Sequence, residues 1–214
     1  MTSKLKLKKL EEYLGFVETF EHPKILLEQY QTPAHIASVW LFTAHNNYND
    51  IDGKLTADIG CGTGILALGA ALLGSNQTVA FDIDSEALEI AKSNVSEMEI
   101  NTIDFVQCDV VSDLEMEKWC NVFDTVFMNP PFGTKKNAGM DMKFLKIAIK
   151  ISRNVVYSLH KSSTRAYIEK KTKELNVKGT VIAELKYNID SSYRFHKKQS
   201  VDIAVDVWRF VVNK

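Results

Sequence analysis

The sequence predicts an α/β protein with a mostly parallel sheet, helices on both faces, and an antiparallel pair of strands closing one edge. Three observations carry this expectation. From Leu55 onward, short apolar runs alternate with helix-like segments, the pattern of repeated β-α units. A glycine-rich turn, Gly60-Cys61-Gly62-Thr63-Gly64, follows the first of those runs. The last two runs, Val181 to Asn188 and Val201 to Val212, leave no room for a helix between them and are expected to pair directly.

Taken in order, residues 4–20 read as an amphipathic helix with Leu7, Leu10, Leu14 and Val17 on one stripe. Pro23 to Tyr30 reads as a second helix begun by a proline, and Thr32-Pro33 breaks it. Ala34 to Tyr48 is a third helix. Strands are expected at Leu55 to Ile59, Thr78 to Ile83, Ile103 to Cys108, Val122 to Met128 and Asn154 to Ser158. Helices are expected at Ile65 to Leu73, from Asp84-Ser85 to about Met98, at Met142 to Ser152 and at Ser162 to Leu175. Residues 1–50 then form a helical segment bracing the site, and residues 51–214 form the main domain.

A chain of 214 residues suits one domain with a full core, and 45% hydrophobic with 25% charged residues is ordinary for a globular protein. The longest apolar stretch, Ile65 to Leu73, is far too short for a membrane span. Lys4, Lys6, Lys8 and Lys9 are interleaved with leucines and precede no apolar core, so no secretory signal is expected. Cys61, Cys108 and Cys120 have neither paired nor metal-ligand spacing, which points to a reducing compartment and no metal site. A net charge of −1 argues against a strongly basic nucleic-acid binder. The bases nevertheless concentrate after Asn129, which suits an anionic substrate.

The chemistry gathers at strand ends. Asn129-Pro130-Pro131-Phe132 follows the apolar run from Val122 to Met128, and its prolines forbid the strand from continuing. Open α/β sheets place their ligand crevice at such carboxyl ends. The Asn129 amide oxygen and the Pro130 carbonyl can each accept a proton from an amino group, and Phe132 offers a flat face to an aromatic ring. Asp58 heads the pattern Asp-x-Gly-x-Gly-x-Gly, which lacks the spacing of the dinucleotide fingerprint. Its charge repels a pyrophosphate but pairs with a cationic amine. Asp82, ending the next strand, suits two ribose hydroxyls, and Asp109, after the third, suits an adenine amino group.

These stretches resemble known patterns. Asn129 to Phe132 is similar to the Asn-Pro-Pro-(Phe/Tyr/Trp) motif of amino-group methyltransferases, which act on adenine N6, cytosine N4 or glutamine amides. The loop from Asp58 to Gly64 resembles the methyltransferase glycine loop, making S-adenosylmethionine the expected cofactor. The closing hairpin resembles the Rossmann-like class I methyltransferase fold, seven strands with the last antiparallel; a plain dinucleotide-binding domain is the structural competitor.

A closer resemblance is carried by Leu26 to Tyr30, His35 to Ala37, Phe81 to Asp84, Val106 to Val110, Asn129 to Thr134, Tyr157 to Arg165 and Phe195 to Lys198. Together they resemble the methyltransferase-like protein 5 family, eukaryotic enzymes that methylate adenosine N6 in 18S ribosomal RNA. The resemblance implies that Gln29, Thr32, Gly60, Thr63, Ile65, Asp82, Asp109 and Val110 line the cofactor site and that Asn129, Pro130, Pro131 and Phe132 hold the adenine. Thr63 stands where the family commonly has cysteine and keeps a small side chain. A small zinc-binding activator protein is implied as partner, and the strand edge near Phe105 and Val106 is where an unpaired, apolar rim would receive one. Nucleus, with nucleolus, and cytoplasm are the implied locations. Phosphate contacts are expected from Lys135, His160, Lys161, Arg165, Arg194, Lys197 and Lys198, with Tyr193 and Phe195 able to stack on bases. A glutamine amide methyltransferase and a catalytically silent binding module remain as rivals.

Overall fold

The computed structural model describes residues 5–111, 114–133, 137–190 and 200–213. Seven strands form one sheet: β1 (Leu55–Ile59), β2 (Gln77–Asp82), β3 (Ile103–Gln107), β4 (Phe123–Met128), β5 (Ser152–Lys161), β6 (Val177–Asp190) and β7 (Ser200–Val212). Their spatial order is β3-β2-β1-β4-β5-β7-β6. The first five are parallel, and β7 runs antiparallel between β5 and β6. Strand order reverses between β1 and β4, so a crevice opens at their carboxyl ends.

Among the described residues six helices accompany the sheet: α1 (Leu7–Leu14), α2 (Ala34–Tyr48), α3 (Ile65–Leu72), α4 (Ser85–Glu97), α5 (Met140–Ile151) and α6 (Arg165–Glu174). One core layer joins Leu10 and Leu14 of α1, Trp40 and Leu41 of α2, Leu66 and Leu68 of α3, and Leu88 of α4 to Phe127 and Tyr157. The other sets Leu145, Ala148 and Ile168 against Phe81, Phe123, Val126 and Trp208. Consecutive strand residues such as Val126 and Phe127 serve opposite layers, as the two-residue pleat requires.

The expected sheet, its antiparallel closure and the β3 edge match the structure, and two helix expectations do not. The helix expected over residues 4–20 ends at Leu14. The segment expected to be helical from Pro23 to Tyr30 contains only a 3-10 turn, Ile25–Leu27, because Glu28 takes the left-handed conformation (φ 50°) and stops it. Its apolar side chains do not make a buried stripe, since Ile25 and Leu26 are exposed. The chain from Pro23 to Thr32 is instead an irregular strap across the carboxyl ends of the strands.

Candidate active site

The carboxyl ends of β1, β2 and β4, the Cys108–Val111 turn after β3, and the strap enclose a cavity of ≈ 270 Å³. Gly60, Gly62, Thr63 and Ile65 line its floor, Asp82, Ile83, Asp109 and Val110 one side, Asn129 and Pro131 another, and Phe20 with Leu26 to Thr32 the roof. Every cofactor residue expected from the sequence (Gln29, Thr32, Asp58, Gly60, Thr63, Ile65, Asp82, Asp109, Val110) borders this one space.

The glycine loop is held tightly from both sides. Gly60 (φ +71°) and Gly62 (φ +54°) both need the left-handed region, and a Cβ would lie 3.0 Å from the Phe144 ring and 2.9 Å from the Phe20 ring respectively. Asp82 fixes the same loop: its Oδ2 accepts from the Gly62 N–H at 2.8 Å and its Oδ1 from the Asp84 N–H at 2.9 Å. Burial raises the Asp82 pKa against the lowering effect of those bonds. Each oxygen keeps a lone pair for a hydroxyl donor. Asp109 is likewise set by accepting from the Val111 N–H at 3.0 Å.

Asp58 is a strongly perturbed carboxyl in the cavity. It is 1% exposed, and Oδ2 accepts from the Ala67 N–H at 3.0 Å near the start of α3. Oδ1 is buried with no partner among the described residues. Burial, with the nearby Asp82 charge adding to it, pushes its pKa up from 3.8 to about 7. A buried carboxylate with one bare oxygen is poised for a cation. Thr63 Oγ1 is a second buried atom without a partner among the described residues.

The strap is tied down at several points. Asp84, the N-cap of α4, accepts from Lys24 Nζ at 2.7 Å and from Gln29 Nε2 at 2.6 Å. Gln29 Oε1 accepts from the Lys24 N–H at 2.7 Å, so this amide shapes the wall through its backbone anchorage as well as its surface. Burial opposes ionisation of Asp84, but the Lys24 and Gln29 bonds outweigh it and hold the carboxyl below its ordinary range. Asn94 accepts from the Glu18 N–H at 2.8 Å and donates to Thr63 O at 3.0 Å, stapling the N-terminal segment to the glycine loop. Asn137 donates to Leu26 O and Glu28 Oε1, both at 3.0 Å, and joins the strap to the chain after Asn-Pro-Pro-Phe.

Asn129 is half-buried at the end of β4. Its Nδ2 donates to Thr32 Oγ1 at 2.9 Å, and its Oδ1 is buried with no partner among the described residues. Pro131 lines the cavity beside it; Pro130 is buried, and neither it nor Phe132 belongs to the lining. Phe132 meets Tyr187 edge-on, ring centroids 6.0 Å apart at 80°, and Lys161 Nζ lies 5.6 Å from its centroid.

The basic residues separate. Lys161 ends β5 beside Phe132 and is available to an anion. His160 is 1% exposed, bonded to Ser158 Oγ at 2.8 Å with Asp141 3.6 Å from Nδ1, so its expected phosphate contact is corrected to a buried polar link. Arg165 is also reassigned: Nε and Nη2 each donate to the fully buried Asp206 at 2.7 Å, and Nη2 pairs with Glu184 at 3.0 Å. Its charge is spent on holding α6 to β7 and β6. Lys135, Arg194, Lys197 and Lys198, with Tyr193 and Phe195, lie outside the described residues.

Phe20, Asn94, Asn137, Phe144 and Tyr187 escaped the sequence reading. Each acts through a tertiary contact with no local motif. Among them only Asn137, eight positions beyond Asn129, sat near a recognisable signal.

A parallel sheet with an antiparallel closure, a glycine loop over a buried acid with one oxygen unpartnered among the described residues, and Asn-Pro-Pro-Phe at the strand-order reversal define a class I methyltransferase. The family model described as methyltransferase small domain matches residues 38–154. The rRNA N(6)-adenosine-methyltransferase Mettl5 of Drosophila melanogaster is 54% identical over 210 residues, 98% of each chain. The rRNA N(6)-adenosine-methyltransferase METTL5 of Danio rerio is 55% identical over 206 residues, 96% of this chain and 99% of that protein. The crystal structure of PH1948 from Pyrococcus horikoshii superposes with a TM-score of 0.86 at 35% identity, covering 98% of this chain and 99% of that one. The chain belongs to the methyltransferase-like protein 5 family.

Proposed function

We propose that the protein transfers the methyl group of S-adenosylmethionine to N6 of an adenosine in 18S ribosomal RNA, working as a heterodimer with a small zinc-binding activator. The observation that carries the chemistry is Asn129 Oδ1, a buried acceptor with no partner among the described residues at the edge of the cofactor cavity. The relatives' activity on ribosomal RNA supports the substrate class.

The cavity's chemistry fits the cofactor. Asp58 Oδ1 would hold the amino group, Asp82 the ribose hydroxyls and Asp109 the adenine amine, between the apolar Ile83 and Val110. Bound there, S-adenosylmethionine supplies an electrophilic methyl group. The chain's own task is to prepare and align the nucleophile. Adenine N6 is weakly nucleophilic because its lone pair is delocalised into the ring. Accepting its two N–H bonds at Asn129 Oδ1 and the Pro130 carbonyl draws N6 toward tetrahedral geometry and localises that pair. Phe132 offers a face to the base, and Lys161 beside it a cation to a neighbouring phosphate. Fixing the amine at a near-attack distance supplies much of the rate. The proton lost from N6 is acidic after transfer and passes to water, so no side chain is assigned as base.

The β3 edge supports the partner reading. Phe105 and Val106 are half-buried on a strand paired on one side only among the described residues, a rim that an added strand would cover. A ribosomal RNA substrate favours the nucleus, with the nucleolus where that RNA is made, and the cytoplasm, where it works. Mapping methylated adenosines in 18S ribosomal RNA with and without the protein tests the reading. Loss of one N6-methyladenosine is expected; an unchanged map, or transfer to a glutamine peptide but not RNA, overturns it.

A further inference from the structure

An asparagine carboxamide has two ends of nearly equal size and opposite function, and its terminal torsion is broad and roughly two-fold. Only the oxygen can accept from a reacting amine. With the nitrogen turned inward, a donor would face a donor and the clamp would be lost. The clamp therefore needs the amide nitrogen engaged and the side chain held in place, and Asn129 carries no such instruction in its own motif.

We infer that Thr32 is the positioning residue that anchors the Asn129 carboxamide by its nitrogen, an assignment that rests on the amine-clamp reading above. Thr32 Oγ1 accepts from Asn129 Nδ2 at 2.9 Å across 97 positions of sequence. It is 4% exposed, so water does not compete for that bond. With Nδ2 engaged, Oδ1 is the amide atom left buried and without a partner among the described residues. The neighbouring strap residue reaches the other half of the clamp. Tyr187 donates its hydroxyl to Gln31 O at 2.8 Å and places its ring edge-on to Phe132. Gln31 and Thr32 thus brace both the acceptor and the aromatic face, and the strap acts in the chemistry as well as in roofing the cavity.

Thr32 also borders the cofactor cavity, so a binding role and a positioning role must be separated. The experiment uses the protein with its activator and compares Thr32→Val, which keeps shape but removes the hydroxyl, with Thr32→Ser, which keeps it. Cofactor affinity is read by calorimetry, and single-turnover methyl transfer to an RNA fragment is read at saturating cofactor. Thr32→Val is expected to lower the transfer rate by about 10²-fold, the scale of a small misplacement at a reacting group. Its cofactor affinity is expected to stay close to that of the parent, and Thr32→Ser to restore most of the rate. A Thr32→Val protein with the parent rate at saturating cofactor overturns the assignment, as does a loss confined to cofactor affinity or one that Thr32→Ser fails to repair. If the parent protein does not methylate adenosine N6, the underlying reading fails instead, and the parent lane alone reveals it.

Discussion

If Asp58 holds the amino group of S-adenosylmethionine as proposed, binding should be proton-linked. The Asp58 carboxyl is pushed up to about 7, chiefly by burial, so near neutral pH much of it is protonated and cannot pair with an ammonium group. Binding a cation requires it to ionise. Below pH 7 each unit of acidity should therefore weaken S-adenosylmethionine up to tenfold, whereas above pH 8 the dependence fades. Between pH 8 and pH 6 the dissociation constant should rise about tenfold, with close to one proton released per site at the lower pH. Calorimetric titrations in two buffers of different ionisation heat measure both quantities. Asp82 is also raised by burial, so the assignment needs Asp58→Asn, which should bind more weakly and with little pH dependence. A parent protein that binds equally well at pH 6 and pH 8 with no proton release refutes the argument.

The same shift governs the stability of the free protein. A folded-state pKa above the unfolded value means that the folded chain holds the proton more tightly, so this contribution is complete below about pH 4 and lost as pH rises through about 7. Moving from 3.8 to about 7 corresponds to roughly 4 kcal/mol at full ionisation. Other carboxyls, such as Asp84 and Asp206, are held below their ordinary range and act in the opposite sense. The difference between Asp58→Asn and the parent isolates the effect. In denaturant unfolding, the variant should gain on the parent between pH 4 and pH 7, and a difference flat across that range contradicts the burial argument.

At the clamp, Asn129→Ala should lower RNA methylation by about 10²–10³ with cofactor affinity nearly unchanged, read by single-turnover transfer beside calorimetry; a parent-like rate removes the amine clamp. Phe132→Ala should weaken RNA capture more than the chemical step, since stacking serves ground and transition states alike. Arg165→Ala should lower the thermal midpoint by stranding the buried Asp206 while leaving RNA affinity unchanged, whereas Lys161→Ala should do the reverse, and an exchange of these outcomes would reassign both residues. Alone, the chain should be poorly soluble through its β3 edge and recover on co-expression with the activator, which light scattering of the two preparations checks.

What could be read from the sequence follows the range of the forces involved. Strands such as β1 and β4 declare themselves because burial on both faces favours short, mostly apolar runs bounded by turn residues. The glycine loop and the acids at strand ends are legible because one turn fixes their positions. The strap is the opposite case. Pro23 to Tyr30 carries a leading proline and two leucines that suit a helix locally, yet its shape is decided by Asp84, 60 residues from Lys24. A local pattern has no access to that partner, so the sequence predicts a helix where the fold makes a strap.

The basic residues fail for a related reason. His160, Lys161 and Arg165 look alike as a cluster of cations beside a strand end, and only the sheet register sorts them. β5 alternates its faces, so His160 turns into the core toward Ser158 and Asp141 while the next residue, Lys161, lies beside Phe132. Arg165 is captured because β7 brings Asp206 opposite His160, where a buried carboxylate must find a cation. Charge in the sequence thus marks candidates for the substrate, but the acids that the fold buries claim their partners first. The cations left unclaimed after that are the ones to test against RNA, and among the described residues Lys161 heads them.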